Sequence, residues 1–306
     1  MNIVLTGYSG FIGNYFLKYL SKNNSNNIFL LGRKKISNYK FAYWDLDKKN
    51  VSESLFHNID ILFHFASIAH TSENKINSFY NKIFNHNYKA TIYLANLSVK
   101  FNLKKFVFIS STKALDPDFI NLDIKQLKKL KTKNIYGKIK RITELELQNI
   151  FINSKTKLFL IRPSLVYGPN VKGNLNSLKN YIYKSPIVIL PAFKNKRNLI
   201  HIDNLIYSID FIVFKKKLDF VEYTFADDNI YSFFEISKAI NLLYKKRIFY
   251  VTIPNFLLKF LLYMNIFFKN NLINKIFSDD VYLTTNLKQY EFNQVRKIEN
   301  FYETDF

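Results

Sequence analysis

The chain of 306 residues has no cysteine, which excludes disulfides, a thiolate nucleophile and any cysteine-based metal site. Histidine is scarce, with five residues and no H-E-x-x-H spacing, so zinc lacks its usual ligand pattern and no metal is expected. No internal repeat, low-complexity linker or Pro/Gly-rich boundary divides the sequence; its two halves are expected to interleave. The N-terminus, MNIVLTG, enters a strand at once, without the basic segment and apolar core of a signal peptide, and a cytoplasmic protein is expected. No apolar run reaches the roughly 20 residues needed to span a bilayer. The most apolar stretch, 255–268, is broken by Lys259 and Asn265. It reads as a buried or lobe-forming helix, or as an interfacial helix flanked by Lys259, Lys269 and Lys275 that would make a peripheral membrane contact.

Acidic residues are also few, 23 against 45 Lys and Arg, giving a net charge of +22. Such a charge suits nucleic acid or an anionic membrane. Here the lysines are scattered rather than gathered into a stripe, so the charge reads as a surface-wide bias that also suits a small anionic substrate; no specific nucleic-acid partner is expected. What is present is a core: 48% hydrophobic and 17% aromatic residues indicate a packed globular protein.

Short apolar runs alternate with helical patterns through the first half. Strands are predicted at 2–7, 27–33, 60–67, 104–111 and from 157, and helices at 11–21, 86–101 and 134–153. Continuous apolar strands alternating with helices predict an α/β fold with a parallel sheet covered on both faces. The second half is less regular: a strand turning into a helix over 198–213, a strand and turn at 223–229, and a capping box, Ser232 with Glu235, opening a further helix.

The segment TGYSGFIG sets Gly7, Gly10 and Gly13 between the first strand and the first helix, three of only seven glycines in the chain. Gly7 allows the tight turn, Gly10 lets backbone approach a diphosphate, and Gly13 lets helix and sheet pack closely. Free N–H groups and the helix dipole favour phosphate there. Of 21 tyrosines, only Tyr136 has a lysine four residues on, Lys140, which on a helix shares its face. A tyrosine of pKa near 10 is a poor base, and a lysine one turn away favours its phenolate.

With G-x-x-G-x-x-G in place of G-x-G-x-x-G, and a Ser-Ser-Thr strand end before the Tyr-x-x-x-Lys helix, the sequence resembles the extended short-chain dehydrogenase/reductases, the sugar-nucleotide epimerase/dehydratase family. FHFAS (63–67), NYKAT (87–91, with Ala90 where the family has glycine), RPSLVYGP (162–169) and RNLIHIDNL (197–205) also resemble family segments. The resemblance covers nearly the whole chain. It implies a Rossmann-type doubly wound parallel sheet over 1–168 and a smaller, interleaved C-terminal substrate lobe over 169–306, some segments of which return to the first domain. Tyr136, Lys140 and Ser111 are implied to be catalytic, with Thr112 the lesser choice beside Ser111. Lys140 would also hold the nicotinamide ribose.

The cofactor is implied to lie on Gly7, Gly10, Phe11, Ile12, Gly13, Arg33, Asp45, Phe65, Ala66, Ser67, Asn87 and Pro163, together with Tyr136 and Lys140. The second strand ends in Arg33, Lys34 and Lys35 instead of the acidic residue usual for NAD, so NADP is favoured over NAD. Ser111, Thr112, Lys113, Asn174 and Arg197 are implied on the side of a UDP-sugar substrate, where a guanidinium suits a diphosphate. His201 and Arg162 are assigned no chemistry.

FISSTKA followed by YGPNVKGN looks like the branch containing reductases of UDP-4-keto-6-deoxy-N-acetylhexosamines and UDP-hexose 4-epimerases, which serve surface-polysaccharide synthesis. The chain departs from it after Lys113, where ALDPDF and a lysine-rich loop over 116–133 follow. A reductase is the leading expectation. A 4-epimerase with retained NAD is the alternative, and a non-catalytic nucleotide- or RNA-binding protein is a remote one. A dehydratase is disfavoured because no acidic pair stands beside Ser111. A homodimer through a helix pair is what the resemblance implies for assembly.

Overall fold

The structure, a computed structural model, describes residues 1–47, 51–68, 76–192, 195–215, 221–252 and 279–306. The apolar stretch 255–268 and its flanking lysines lie outside the described residues. Among the described residues, no helix is long and apolar enough to cross a membrane.

The first half runs β1 (Asn2–Thr6), α1 (Phe11–Ser21), β2 (Asn27–Gly32), β3 (Lys40–Tyr43), β4 (Ile61–His64), α2 (Ile76–Ile83), α3 (Ala90–Lys100), β5 (Lys105–Ile109), α4 (Ile124–Lys129), α5 (Ile135–Phe151) and β6 (Lys157–Pro163). The second half runs β7 (Leu165–Tyr167), α6 (Asn174–Lys184), β8 (Val188–Pro191), β9 (Arg197–His201), α7 (Ile202–Asp210), β10 (Glu222–Phe225), β11 (Ile230–Tyr231), α8 (Phe233–Tyr244) and β12 (Ile248–Val251). Seven strands form one parallel sheet in the order β10-β6-β5-β4-β1-β2-β3. Two small sheets, β11-β9-β7 and β12-β8, stand beside it.

The strands read as unbroken apolar runs because both faces of the sheet are covered. Ile3, Leu5, Phe63, Val107 and Ile161 join one core with residues of α1 and α7; Val4, Leu62, Phe106, Phe108 and Leu160 join the other with residues of α3 and α5. β1 pairs with β2 on one side and β4 on the other, so the chain reverses its winding direction at β1. Ligands of doubly wound sheets bind in the crevice at the carboxyl ends of strands at such a switch point.

In the second half, β8 and β12 form strands where none was expected, and three stretches of the first half also differ from the sequence reading. The helix expected over 86–101 reaches back to Ile76 through a π-helical turn, Phe84–Lys89. The lysine-rich loop contains α4, started by a reciprocal cap in which Asp123 and Gln126 bond each other's backbone N–H at 2.8 and 2.9 Å. β3 was not expected; as an edge strand it is short and half-exposed, with little apolar signal. The Ser232–Glu235 box does open α8.

The C-terminal segment returns to the first layer. Arg296 pairs with Asp203 at the start of α7 and with Glu303, both at 3.0 Å. Phe306 lies edge-on to Tyr19 of α1, with ring centroids 5.7 Å apart, and Lys22 donates to the Asp305 carbonyl at 2.7 Å.

Gly13 packs its Cα against the turn; a Cβ there would lie 2.2 Å from the Gly7 carbonyl oxygen. Gly13→Ala is therefore expected to lower stability by roughly 1–3 kcal/mol, as overpacking does; the measurement is the urea midpoint at unchanged m-value.

Candidate functional site

The glycine turn stands at the carboxyl end of β1. Gly7 has φ +71°, and a Cβ there would fall 2.4 Å from the backbone of Phe65 and Ala66, so only glycine allows this turn so close to the end of β4. Gly10 is the N-cap of α1, is exposed, and has no side chain to cap the helix; the first turn holds no acidic residue. The leading N–H groups thus face outward with the positive end of the helix dipole, and the half-buried Phe11 and Ile12 continue the turn. This glycine-lined cradle fits a dinucleotide diphosphate. Tyr8 was not anticipated here. Its ring is 2% exposed, covers Gly32 at the end of β2, and its hydroxyl donates to the Lys34 carbonyl. It thereby ties the glycine turn to the basic segment containing Arg33. Arg33 itself is exposed, and Asp45 follows β3, its carboxylate accepting from the Asp47 N–H at 3.4 Å.

The loop after β4 forms the neighbouring wall. The Phe65 ring packs on Phe16, and the Ala66 N–H donates to Thr6 Oγ1 at 3.2 Å. Asn87, in the π-turn, clamps Ile68 from both sides: it accepts from the Ile68 N–H and donates to its carbonyl, each at 2.8 Å. Beneath lies fully buried His64, between Thr6 (2.8 Å to Nδ1) and Thr91 (2.9 Å to Nε2). The Thr91 hydroxyl already donates its proton to the Asn87 carbonyl, so it must accept from Nε2–H, and Nδ1 accepts from Thr6. Burial, with Lys140 nearby, pushes His64 down to about 3, which keeps this neutral tautomer. Pro163 ends β6, buried, opposite Phe225.

α5 carries Tyr136 and Lys140, and Asn134 fixes its start. The Asn134 side chain accepts from the Gly137 N–H at 2.9 Å and donates to Asp116 at 2.9 Å and to the Lys113 carbonyl at 3.3 Å. A Cβ at Gly137 would lie 2.2 Å from that same carbonyl, so Gly137 lets the 3₁₀ turn Thr112–Leu115 press against the helix. Ser111 caps that turn, its hydroxyl accepting from the Lys113 N–H at 3.2 Å. Ser111 and Tyr136 are thus held on two abutting turns. The polar neighbour of the phenol is Ser67, from the wall formed by the loop after β4.

Lys140 is 1% exposed and donates to the Ile109 carbonyl, at the end of β5, at 2.7 Å. Its ammonium lies 4.4 Å from the Phe108 ring centroid and 5.8 Å from that of Tyr136. The expected phenolate is not what these surroundings favour. Desolvation pushes the Tyr136 phenol up to about 12, partly offset by Ser67, and pushes Lys140 down to about 7, partly offset by Glu144. Both shifts have one cause: loss of water disfavours the charged form of each group.

On the opposite rim, Thr112 is buried and Lys113 is paired bidentately with Asp280, at 2.9 and 2.8 Å. Asp280 bridges through its backbone to Arg197, the first residue of β9. Burial lowers the Arg197 pKa, with Asp280 and Asp279 opposing. Asn174 opens α6 with an exposed side chain. His201 caps α7 by accepting from the Asp203 N–H, and Arg162 is held by Glu144 and Glu222. Asn134, Gly137, Asp280 and Tyr282 escaped sequence reading. The N-I-Y-G segment offered a signal for the first two, whereas the last two act across about 170 residues of sequence, at Lys113.

Residues 3–220 match the family described as NAD dependent epimerase/dehydratase family. The chain belongs to that family. A curated member, UDP-glucose 4-epimerase of Vibrio cholerae, is 28% identical over 213 residues, 67% of this chain and 64% of that protein. A dTDP-D-glucose 4,6-dehydratase of Dictyostelium discoideum is 27% identical over 270 residues, 78% of this chain and 61% of that protein. The chain thus spans less than two thirds of the length of these curated relatives. The fold is that of a UDP-glucose 4-epimerase from Thermotoga maritima solved with UDP-glucose, at TM-score 0.72, 17% identity and 98% and 96% coverage of the two chains.

For this family member the low pKa of Lys140 has a measurable consequence. Between about 7 and its ordinary 10.5, the unfolded chain binds the proton that the folded chain lacks. Stability therefore rises with pH across that window, by at most about 1.4 kcal/mol per pH unit, and this contribution is flat below it. Lys140→Met should flatten the rise in chemical-denaturation stability between pH 7 and 9.5 relative to the unsubstituted protein.

Proposed function

We propose that this chain is an NAD(P)-dependent oxidoreductase acting at C4 of a UDP-sugar, and specifically a reductase of a UDP-4-keto-6-deoxy-N-acetylhexosamine. The observation that carries the proposal is Lys140, a lysine 1% exposed whose close polar partner is a carbonyl rather than a carboxylate. Such burial is costly, and strongly shifted groups beside a crevice mark functional sites. Lys140 sits one turn from Tyr136 at the strand ends that also carry the glycine turn.

The bound nicotinamide supplies a hydride donor or acceptor at its C4. The diphosphate would rest on the Gly7–Gly13 turn, the adenosine end on Arg33 and Asp45, and the nicotinamide end near Phe65, Ala66, Ser67, Asn87, Pro163 and Lys140. The basic Arg33–Lys35 turn, without an acidic residue, supports NADP. Tyr136, protonated up to about 12, is suited to giving its phenolic proton to the oxygen that gains charge at the sugar carbon. Ser111 would donate a second hydrogen bond to that oxygen. Arg197 would hold the UDP diphosphate, with Asn174 and Thr112 lining the same side. The names of the relatives favour a second reading, a UDP-hexose 4-epimerase that keeps NAD.

Three measurements test the proposal. Tyr136→Phe should lower kcat about 10²–10⁴-fold while cofactor affinity, followed by fluorescence titration, stays near that of the unsubstituted protein; unchanged turnover removes the mechanism. Arg33→Asp should weaken NADPH relative to NADH. Absorbance of the purified protein and NADPH consumption with UDP-4-keto-sugars separate the two readings: NAD retained through gel filtration, with hexose interconversion and no added NADPH, overturns the reductase in favour of the epimerase.

A further inference from the structure

Lys113 follows Ser111 by two residues, and its backbone carbonyl is pinned against the start of α5 by Asn134 and Gly137. Its ammonium reaches away from that arm to both oxygens of Asp280, at 2.9 and 2.8 Å, and to the Tyr282 hydroxyl at 3.4 Å. Asp280 and Tyr282 are in turn fixed to β9. Asp280 exchanges backbone hydrogen bonds with Lys196 and Asn198, at 2.8 and 2.9 Å, and the Tyr282 N–H donates to Asn198 Oδ1 at 2.7 Å. The Lys113–Asp280 ion pair therefore joins the arm that carries Ser111 and Tyr136 to the strand that carries Arg197.

The charges at this edge are closely balanced. Among the described residues, Arg197 lies in the fields of Asp279 and Asp280, and Asp280 is four-fifths buried. A carboxylate left unpaired there would face any anion approaching Arg197. We propose that Lys113 is a positioning residue for the sugar nucleotide: it acts through Asp280, cancelling a carboxylate beside Arg197 and fixing the span between the two arms, and does not bind the ligand itself. The proposal rests on the reading of this crevice as a UDP-sugar site and replaces direct contact by Lys113 with an indirect role.

The roles separate in a double-mutant cycle on UDP binding, measured by calorimetry with the intact chain. Lys113→Met should weaken UDP about tenfold, since it exposes a partly buried negative charge at the phosphate end, and the loss should shrink in high salt. Asp280→Asn alone should bind UDP as well as the unsubstituted protein or better. The pair Lys113→Met/Asp280→Asn should recover affinity to within about twofold, because the offending charge is gone. If the double variant binds as weakly as Lys113→Met, Lys113 contacts the ligand directly and the proposal fails. If Lys113→Met binds UDP normally, it fails as well. Should Lys113→Met not fold, Lys113→Gln carries the same comparison. Absence of UDP binding by the unsubstituted protein would instead overturn the underlying reading of the crevice, and this proposal with it.

Discussion

The architecture depends on one close approach. At the carboxyl ends of β1 and β4, the backbone of Gly7 comes so near Phe65 and Ala66 that no side chain fits, and Gly13 comes as near to Gly7. These contacts set where α1 starts, turn its leading N–H groups to the crevice, and place the wall carrying Ser67 opposite Tyr136. An added methyl group at either glycine would move a helix and a wall together, because protein interiors transmit strain rather than absorb it.

The second constraint is electrostatic, and α5 carries it along its length. Near its start Lys140 is buried against a carbonyl. One turn on, Glu144 takes two hydrogen bonds from Arg162, at 2.9 and 2.8 Å, and Arg162 reaches Glu222 of β10 at 2.7 Å. The buried arginine thus has its carboxylates, while among the described residues the lysine has no carboxylate in direct contact. Breaking a buried pair by removing one partner is strongly destabilising, so the Arg162 group reads as architecture that holds β10 to β6. The lysine, held in a form easily switched near neutral pH, is of a different kind. Glu144 and Lys140 lie one turn apart on α5, which couples the ion pairs at the sheet edge to the geometry of the crevice.

Most of the parallel sheet was legible from sequence because strands buried on both faces leave continuous apolar runs, and α1 was legible from its glycine entry. The glycine turn and the Tyr136–Lys140 pair could be read because each depends on short spacing. What could not be read depends on contacts far apart in sequence. β3 carries no pattern without β2 beside it. Asp280 and Tyr282 gain meaning only when Lys113 is placed against them. The phenolate expectation rested on spacing, which shows that a lysine is near a tyrosine but not how much water the two have lost; burial of Tyr136 works against it. Tyr8 was overlooked because tyrosine is common in this chain and nothing local marks one that covers a strand end.

The contacts that α1 makes with Asp305 and Phe306 join segments far apart along the chain: Lys22 and Asp305 are separated by 283 residues. Closing so long a loop costs entropy before the contact repays it, so pairing of β1 with the neighbouring β2 can run ahead of it. Until Phe306 settles against Tyr19, α1 keeps an uncovered aromatic edge. Such an edge is a place for premature association to act while the chain folds.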